Sequence, residues 1–236
     1  MIECDLHVHS IRSACGFHTL LEIVSIMRDK GQKAFALTDH GPSLDTPWNH
    51  FAVLLKRIPA MIDGIRVFKG IESSVLDTDG NIDLPVFAGF PYEIVIAGIH
   101  PQGNFKESSG AEKNTRALVN AVRRNPVIRG ITHPTYLTFP VNLDQLTDLA
   151  AERNVALEVN NSHLRSSKAT AELILRMLEL AREKGTPLMI NSDGHVFNEM
   201  GEYERALALL EPFGIASFHI VNRTLESTLA FLGLAE

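Results

Sequence analysis

Seven short apolar segments recur along the chain, and stretches with helical periodicity separate most of them. The predicted strands lie at residues 2–9, 34–38, 65–71, 94–99, 127–132, 155–159 and 187–190. The segment at 34–38 is almost entirely apolar, which is typical of a strand buried on both faces. Strands that alternate with helices predict an α/β fold with a parallel sheet.

Apolar residues at helical spacing predict the helices between these strands. The first helix begins near Leu20, and Gly31 is placed to end it. Asn142 is placed to cap the N-terminus of a later helix. Further helices are predicted at 51–62, 111–124, 168–184, 200–210 and 223–232. The segment at 75–86, with Asp-Gly at its middle, predicts a hairpin or an excursion of the chain, and 215–221 predicts a last short strand.

Polar side chains of the kinds that bind metals follow almost every predicted strand. His7 and His9 stand two apart at the end of the first strand, so their imidazoles point to the same face. A parallel α/β barrel brings all its strand ends to one face, whereas an open doubly wound sheet usually uses the few ends beside its switch point. The pattern favours one barrel domain over residues 1–236. The later strand ends carry His40, Glu72, His100, His133, Asp193 and His195.

These strand-end residues predict a centre of two or three divalent ions. Imidazoles bind such ions well, and the carboxylates of Glu72 or Asp193 can bridge two of them. A single His-x-His pair is weak evidence, and a histidine before proline, as at 100 and 133, can simply bond to the backbone. Seven of the ten histidines fall at strand ends, however, and together they favour a metal site.

The ordered segments DLHVHS, TDHG, GIES, AGIHP, THP and SDGH resemble the PHP (polymerase and histidinol phosphatase) family, in particular its stand-alone phosphatases. The resemblance covers nearly the whole chain. It implies a distorted seven-stranded (β/α)7 barrel whose trinuclear metal centre hydrolyses phosphate esters. The ligands that it implies are His7, His9, His40, Glu72, His100, His133, Asp193 and His195.

The first loop departs from the family pattern. The register carried from His9 places Cys15 where related phosphatases have a ligand histidine, and His18 lies three residues on. A thiolate is a good zinc ligand, so Cys15 is preferred, with His18 as the alternative. The centre is expected to hold three divalent ions, of which Zn²⁺ fits the histidines best, with Mn²⁺ and Fe²⁺ as alternatives.

A hydrolytic mechanism follows from this centre. A water bridging two ions would lose a proton near neutral pH and attack phosphorus, and His9, His100 or His195 would protonate the leaving group. The residues after the sixth strand are candidates for substrate contacts, although they are equally typical of a solvated loop. Asp39 is a candidate to orient a ligand, while Trp48 and His50 are candidates for a pocket wall. The candidate substrate contacts are Asn161, Arg165 and Lys168, with Asn160 and His163 beside them.

Three other functions fit parts of the pattern. A nuclease-type phosphodiesterase would use the same centre on oligonucleotide ends. An amidohydrolase-type carbon–nitrogen hydrolase also uses His-x-His on a barrel, but it often carries a bridging lysine at a strand end; here Lys69 lies within a strand and Glu72 holds the end. A non-catalytic metal-binding module would bind ions without turnover.

The composition sets bounds on partners and location. The chain has 236 residues, two cysteines and a formal net charge of −6. So few cysteines and no long uncharged apolar run predict a cytoplasmic protein without a membrane span. The acidic balance argues against a broad nucleic-acid surface. A small phosphorylated substrate is the expected partner, and nucleic acid is expected only as a small substrate. The sequence does not predict the oligomeric state.

Overall fold

The computed structural model describes residues 1–44, 54–85, 92–101, 105 and 110–235. Seven strands run parallel in the order β1-β2-β4-β5-β6-β7-β8, and the short β3 pairs with β4 in the opposite direction. The strands form a nearly closed barrel, which confirms the predicted (β/α)7 fold. The strands are β1 Cys4–Val8, β2 Ala34–Leu37, β3 Met61–Ile62, β4 Ile65–Ser74, β5 Ile94–Gly98, β6 Ile128–Ile131, β7 Ala156–Asn160 and β8 Leu188–Asn191.

Helices follow the parallel strands and cover the outside of the barrel. The predicted caps are present: Asn142 Oδ1 accepts a hydrogen bond from Gln145 N, and Gly31 follows the end of the first helix in a left-handed conformation, with φ 74°. Among the described residues, no helix is long and apolar enough to cross a bilayer. The helices are α1 Leu20–Asp29, α2 Gly110–Arg124, α3 Leu143–Arg153, α4 Asn161–Arg165, α5 Ala171–Lys184, α6 Glu204–Leu210 and α7 Leu225–Leu232.

Several predicted boundaries were wrong. The helix expected at 51–62 ends early, because Leu55 is helical but Met61–Ile62 is a strand; residues 51–53 lie outside the described part of the chain. The strand expected at 215–221 is a 3-10 turn followed by one bridge at Ile220. The helix expected from 200 begins only at Glu204, and the loop expected after β7 is the short helix α4.

The inward face of each strand changes from apolar to polar towards its C-terminal end. On β4, Phe68 belongs to the apolar floor of the barrel, and Glu72 lies four residues further along the same face. On β7, Ala156 belongs to the floor and Glu158 follows it. A register shift in β1 between Asp5 and Val8 interrupts its pairing with β2. The barrel therefore has an apolar base beneath a polar mouth.

The seam between β1 and β8 closes with polar contacts. Near the mouth, His9 N donates to Gly194 O at 3.0 Å. Deeper in, the buried Asn222 spans the seam: its Nδ2 donates to Cys4 O at 2.8 Å and to Ile190 O at 2.7 Å, and its Oδ1 accepts from Ile190 N at 3.0 Å. One side chain thereby satisfies backbone groups that strand pairing leaves open.

We expect Asn222→Ala to lower the free energy of unfolding by about 3 kcal/mol, because it leaves buried backbone groups without partners. The neighbouring Arg223→Ala is the matched control: that side chain is exposed, so a change within about 0.5 kcal/mol is expected. Urea unfolding of both variants measures the difference. Equal stabilities would show that Asn222 does not hold the seam.

Candidate metal centre

Glu72 lies at the centre of the polar mouth, and histidines from four strand ends surround it. His40 Nδ1 lies 2.8 Å and His7 Nε2 3.3 Å from Glu72 Oε2. His100 Nε2 and His133 Nε2 each lie 3.1 Å from Glu72 Oε1. The parallel barrel thus brings together residues that are far apart in sequence.

A second group lies beside it around Asp193. Asp193 Oδ1 is 3.3 Å from His9 Nε2 and 3.6 Å from His195 Nδ1. Ligand atoms lie within 4.8 Å of one another in three sets, each of a size that could hold an ion. The sets are His9, Cys15, His40 and His195; His7, His9 and Glu72; and His40, Glu72 and His100.

The structure separates the two candidates from the first loop. Cys15 belongs to the first of these sets. His18 belongs to none of them among the described residues: its Nε2 accepts a hydrogen bond from Phe197 N at 3.0 Å, and its Nδ1 lies 4.0 Å from Glu22. His18 therefore has a structural contact outside the cluster, and the loop brings Cys15 to it.

The hydrogen bonds of His7 and His9 fix which ring nitrogen of each residue faces inward. His7 Nδ1 donates to Glu158 Oε1 at 2.7 Å. Ser13 Oγ gives its proton to Asp39, at 2.7 Å, so it accepts from His9 Nδ1 at 3.0 Å. The two Nε2 atoms are 3.0 Å apart. Facing lone pairs repel each other unless a cation or a proton lies between them, so this pair fits a bound metal ion.

The pKa directions in the metal-free protein agree with that geometry. Burial would lower the pKa of His7, but Glu158, Glu72 and Asp193 outweigh it and raise this pKa well above its usual value. Burial, together with His195 and His40, lowers the pKa of His9. A proton on His7 Nε2 thus occupies the position between the rings that a cation would take.

Cys15 has an acidified thiol. Burial would raise its pKa, but the contacts with His195 and His40 outweigh burial and lower the pKa to about 7. Burial likewise disfavours charge on His40, yet Glu72 and Cys15 raise its pKa to about 10. A thiolate close to imidazoles matches the ligands that zinc prefers.

Residues behind the ligands hold them in place. Asp39 acts through Ser13, whose Oγ also accepts a hydrogen bond from His40 N at 3.0 Å. His195 Nδ1 donates to the carbonyl of Asp193 at 3.0 Å, which leaves its Nε2 free of a proton when the ring is neutral. Asp39 therefore reaches the imidazole of His9 through Ser13 and not by a direct hydrogen bond.

Glu158 is a functional candidate that the sequence reasoning missed. It is fully buried, and its two oxygens accept from His7 Nδ1, His133 N, Asn160 Nδ2 and Asn191 Nδ2 at 2.7–2.9 Å. The available signal was a lone carboxylate inside a predicted buried strand, because such a group needs partners in the interior.

The backbone at two ligand positions adopts the left-handed region that non-glycine residues avoid. His133 has φ 35° and Asp193 has φ 52°. The bond from His133 N to Glu158 and the bond from Asn160 Nδ2 to Asp193 Oδ2, at 3.1 Å, hold these conformations. Such strain is commonly kept at functional sites.

A cavity of about 430 Å³ opens onto these groups. Of the three expected substrate contacts, Lys168 lines it. Asn161 is buried and accepts from Ala206 N at 3.1 Å, and Arg165 pairs with Glu199. The sequence reasoning did not identify Tyr136 as part of this wall. The part of the wall next to His133 includes Tyr136, His163 and Lys168.

Trp48 and His50 fall outside the described residues. His219, which the sequence does not mark as a site residue, is exposed, and its carbonyl accepts from Leu188 N at the opposite end of the barrel. Lys69 does not line the cavity and donates its backbone N–H to Glu93. The lysine expected of an amidohydrolase-type centre is therefore missing from the described cavity wall.

Known proteins resemble this chain over nearly its whole length. No protein-family model matches it. Histidinol phosphate phosphatase from Lactococcus lactis subsp. lactis Il1403, in complex with zinc, L-histidinol and phosphate, has a TM-score of 0.63 at 17% identity, over 92% of this chain and 95% of that one. At that identity the likeness shows the fold.

Curated relatives are more similar in sequence. A probable phosphatase of Shewanella piezotolerans is 35% identical over 232 residues, which are 97% of this chain and 92% of that protein. A probable phosphatase of Caldanaerobacter subterraneus subsp. tengcongensis is 32% identical over 230 residues, which are 97% of this chain and 90% of that protein. With identities above 30% across nearly its whole length, the chain belongs to the family of these probable phosphatases.

Proposed function

We propose that this protein is a metal-dependent phosphatase of the PHP type, which hydrolyses monoesters of small phosphorylated molecules. The observation that carries the proposal is the set of inward-facing imidazole nitrogens around Glu72 and Asp193, beginning with the 3.0 Å pair of His7 and His9. The phosphatase names of the relatives support the reaction class.

The residues present fit three divalent ions. The Cys15 set supplies one thiolate and three imidazoles, and the two sets that contain Glu72 supply histidines and a carboxylate able to bridge. His133 and Asp193 complete these sets in the proposal. When bound, such ions would neutralise phosphate oxygens and acidify water.

The chain's own residues would bind and orient the substrate. Both nitrogens of His9 have close partners, Ser13 on one side and His7 on the other, so the proposal places His9 among the ligands. His100 and His195 line the cavity, and in the proposal the one of them that binds no ion donates the proton to the leaving group. The buried ring of carboxylates and imidazoles excludes bulk water from one side of the cavity.

The cavity size favours a small substrate over an oligonucleotide end. A volume of about 430 Å³ suits one small ligand. The chain's acidic balance also argues against a long anionic polymer. A cytoplasmic location and a single domain stay predictions, as does Zn²⁺ as the preferred ion.

Phosphate release from p-nitrophenyl phosphate tests this function. Purified protein should turn over, lose activity with a chelator and regain it with Zn²⁺ or Mn²⁺. His40→Ala should lower kcat/KM by about 100-fold or more, because it removes a ligand shared by two ion sets. The exposed His219→Ala is the matched control and should retain activity. No hydrolysis with any metal, or full activity and metal content in His40→Ala, would refute the proposal.

Cys15 should give a spectroscopic signature of metal ligation. Cd²⁺ bound to a thiolate absorbs in the ultraviolet by charge transfer, whereas Cd²⁺ bound to imidazole does not. We expect this band in the wild-type protein and its loss in Cys15→His, which keeps a nitrogen ligand for the ion. Calorimetry of Cd²⁺ binding to Cys15→His confirms that the ion is still bound. A band that persists in this variant would exclude Cys15 as the source.

The pH dependence of alkylation checks the acidified thiol. The thiolate is the reactive form, so a pKa of about 7 predicts that iodoacetamide labels Cys15 in metal-free protein with a half-maximal rate near pH 7. The rate falls below that pH as the thiol gains its proton. Cys4 is the internal control: burial raises its pKa to about 12, so it should stay unlabelled. A midpoint near 9 in peptide mass spectrometry would contradict the contacts with His195 and His40.

A further inference from the structure

We propose that Lys168 and Tyr136 form a subsite for an anionic group carried by the leaving group of the substrate. The inference rests on the proposed phosphatase function and narrows its substrates. It selects phosphomonoesters whose leaving group bears a second negative group, either a carboxylate or another phosphate.

The position of Lys168 relative to the ligands carries the first step. The ring of Tyr136 lies 5.9 Å, between centroids, from the ring of the ligand candidate His133. Lys168 Nζ lies 6.0 Å from the centroid of Tyr136. The ammonium group is therefore one aromatic ring beyond the metal centre, on the same cavity wall. A phosphate at the ligands would place its leaving group against that wall.

Charge carries the second step. Of the described residues that line the cavity, Lys168 is the one lysine or arginine. No described carboxylate lies within 4.0 Å of its Nζ, whereas Arg165, three residues earlier, pairs with Glu199. An unneutralised cation beside a cavity attracts anionic ligands. Arg165 is thus committed to the protein, and Lys168 is available to a ligand.

The backbone around Lys168 is fixed although its side chain is exposed. Lys168 N donates to His163 O at 2.9 Å, and Leu137 N donates to Lys168 O at 2.9 Å. These two bonds tie Lys168 to α4 and to the segment that carries Tyr136. A fixed Cα lowers the entropy lost when the side chain binds an anion.

The wall between Lys168 and the ligands consists of aromatic rings. His163 stacks on His133 at 4.8 Å, and Tyr136 meets His163 edge-on at 4.7 Å. His163 is buried, and its Nδ1 has no hydrogen-bond partner in the described structure. The rings offer contact surface to the body of a leaving group, while Lys168 offers the charge at its far end.

Matched esters test the subsite. The substrates are phenyl phosphate, 3-carboxyphenyl phosphate and benzene-1,3-diol bisphosphate, each assayed with metal-loaded enzyme. We expect kcat/KM to favour at least one of the two anionic esters over phenyl phosphate by about 10-fold, the size of one charge-assisted hydrogen bond. In Lys168→Gln the preference should fall to about 1. Which ester is preferred identifies carboxylate or phosphate as the anionic group.

Lys113→Gln is the matched control. Lys113 Nζ also lies over an aromatic ring, that of Phe105 at 5.9 Å, but it does not line the cavity. This variant should keep the wild-type preference. A wild-type enzyme without a preference, or a preference that Lys168→Gln retains, would overturn the subsite.

A binding measurement separates this failure from failure of the proposed function. Phenylphosphonate and 3-carboxyphenylphosphonate have a P–C bond in place of the ester, so they are not hydrolysed. Calorimetry gives their Kd without turnover. The carboxylate should lower Kd about 10-fold in the wild type and not in Lys168→Gln. If the enzyme shows this Kd pattern but no turnover, the phosphatase function is refuted and the subsite stands. If it shows turnover but not the Kd pattern, the subsite is refuted and the phosphatase function stands.

Discussion

A buried carboxylate, Glu158, holds the mouth of the barrel together. It lies on β7 with no exposed surface, and its four hydrogen bonds reach β1, β8, the end of β7 itself and His133 beyond β6. Taking a carboxylate out of water costs several kcal/mol unless donors surround it, so these contacts must form together. The same bonds orient His7 so that its Nε2 faces His9 and Glu72, and one of them holds His133 in its left-handed backbone. Ligand orientation is therefore a consequence of burying one charge.

The network continues from the site into the seam. Asn191 Nδ2 donates to Glu158, while its Oδ1 accepts from Leu6 N at 2.9 Å and from Asn222 Nδ2 at 3.2 Å. Barrel closure and the candidate metal ligands thus share one polar network, with asparagines satisfying both backbone and carboxylate groups. A strand that slipped by one residue would turn these polar groups outward, so the network also specifies register.

The sequence was most informative where the signal is local. Apolar runs followed by histidine, glutamate or aspartate predicted the barrel, and the eight strand-end side chains do converge at its mouth. It was less informative for Glu158, because the residues next to a carboxylate in a buried strand do not indicate which distant groups it bonds to. Choosing between Cys15 and His18 needed the path of the first loop, where Ser10 N donates to Asp39 Oδ1 at 2.7 Å and Phe17 N to His195 O at 3.0 Å. Arg165 and Asn161 were candidate substrate contacts on an expected loop, but a helix forms there and both side chains contact protein partners.

The two sides of the cavity differ in chemistry. In the proposal, one side carries out the hydrolysis and the other side selects the substrate. On one side, Glu72, Asp193 and the histidines have close polar partners within the protein, so a change there disturbs several neighbours at once. On the other side, Lys168 has a fixed backbone and no carboxylate partner among the described residues. A substitution at Lys168 removes one charge and leaves the buried network intact. Substrate preference can consequently vary on the Lys168 side while the ligand side stays constant, as is common for barrels whose loops differ over one catalytic face.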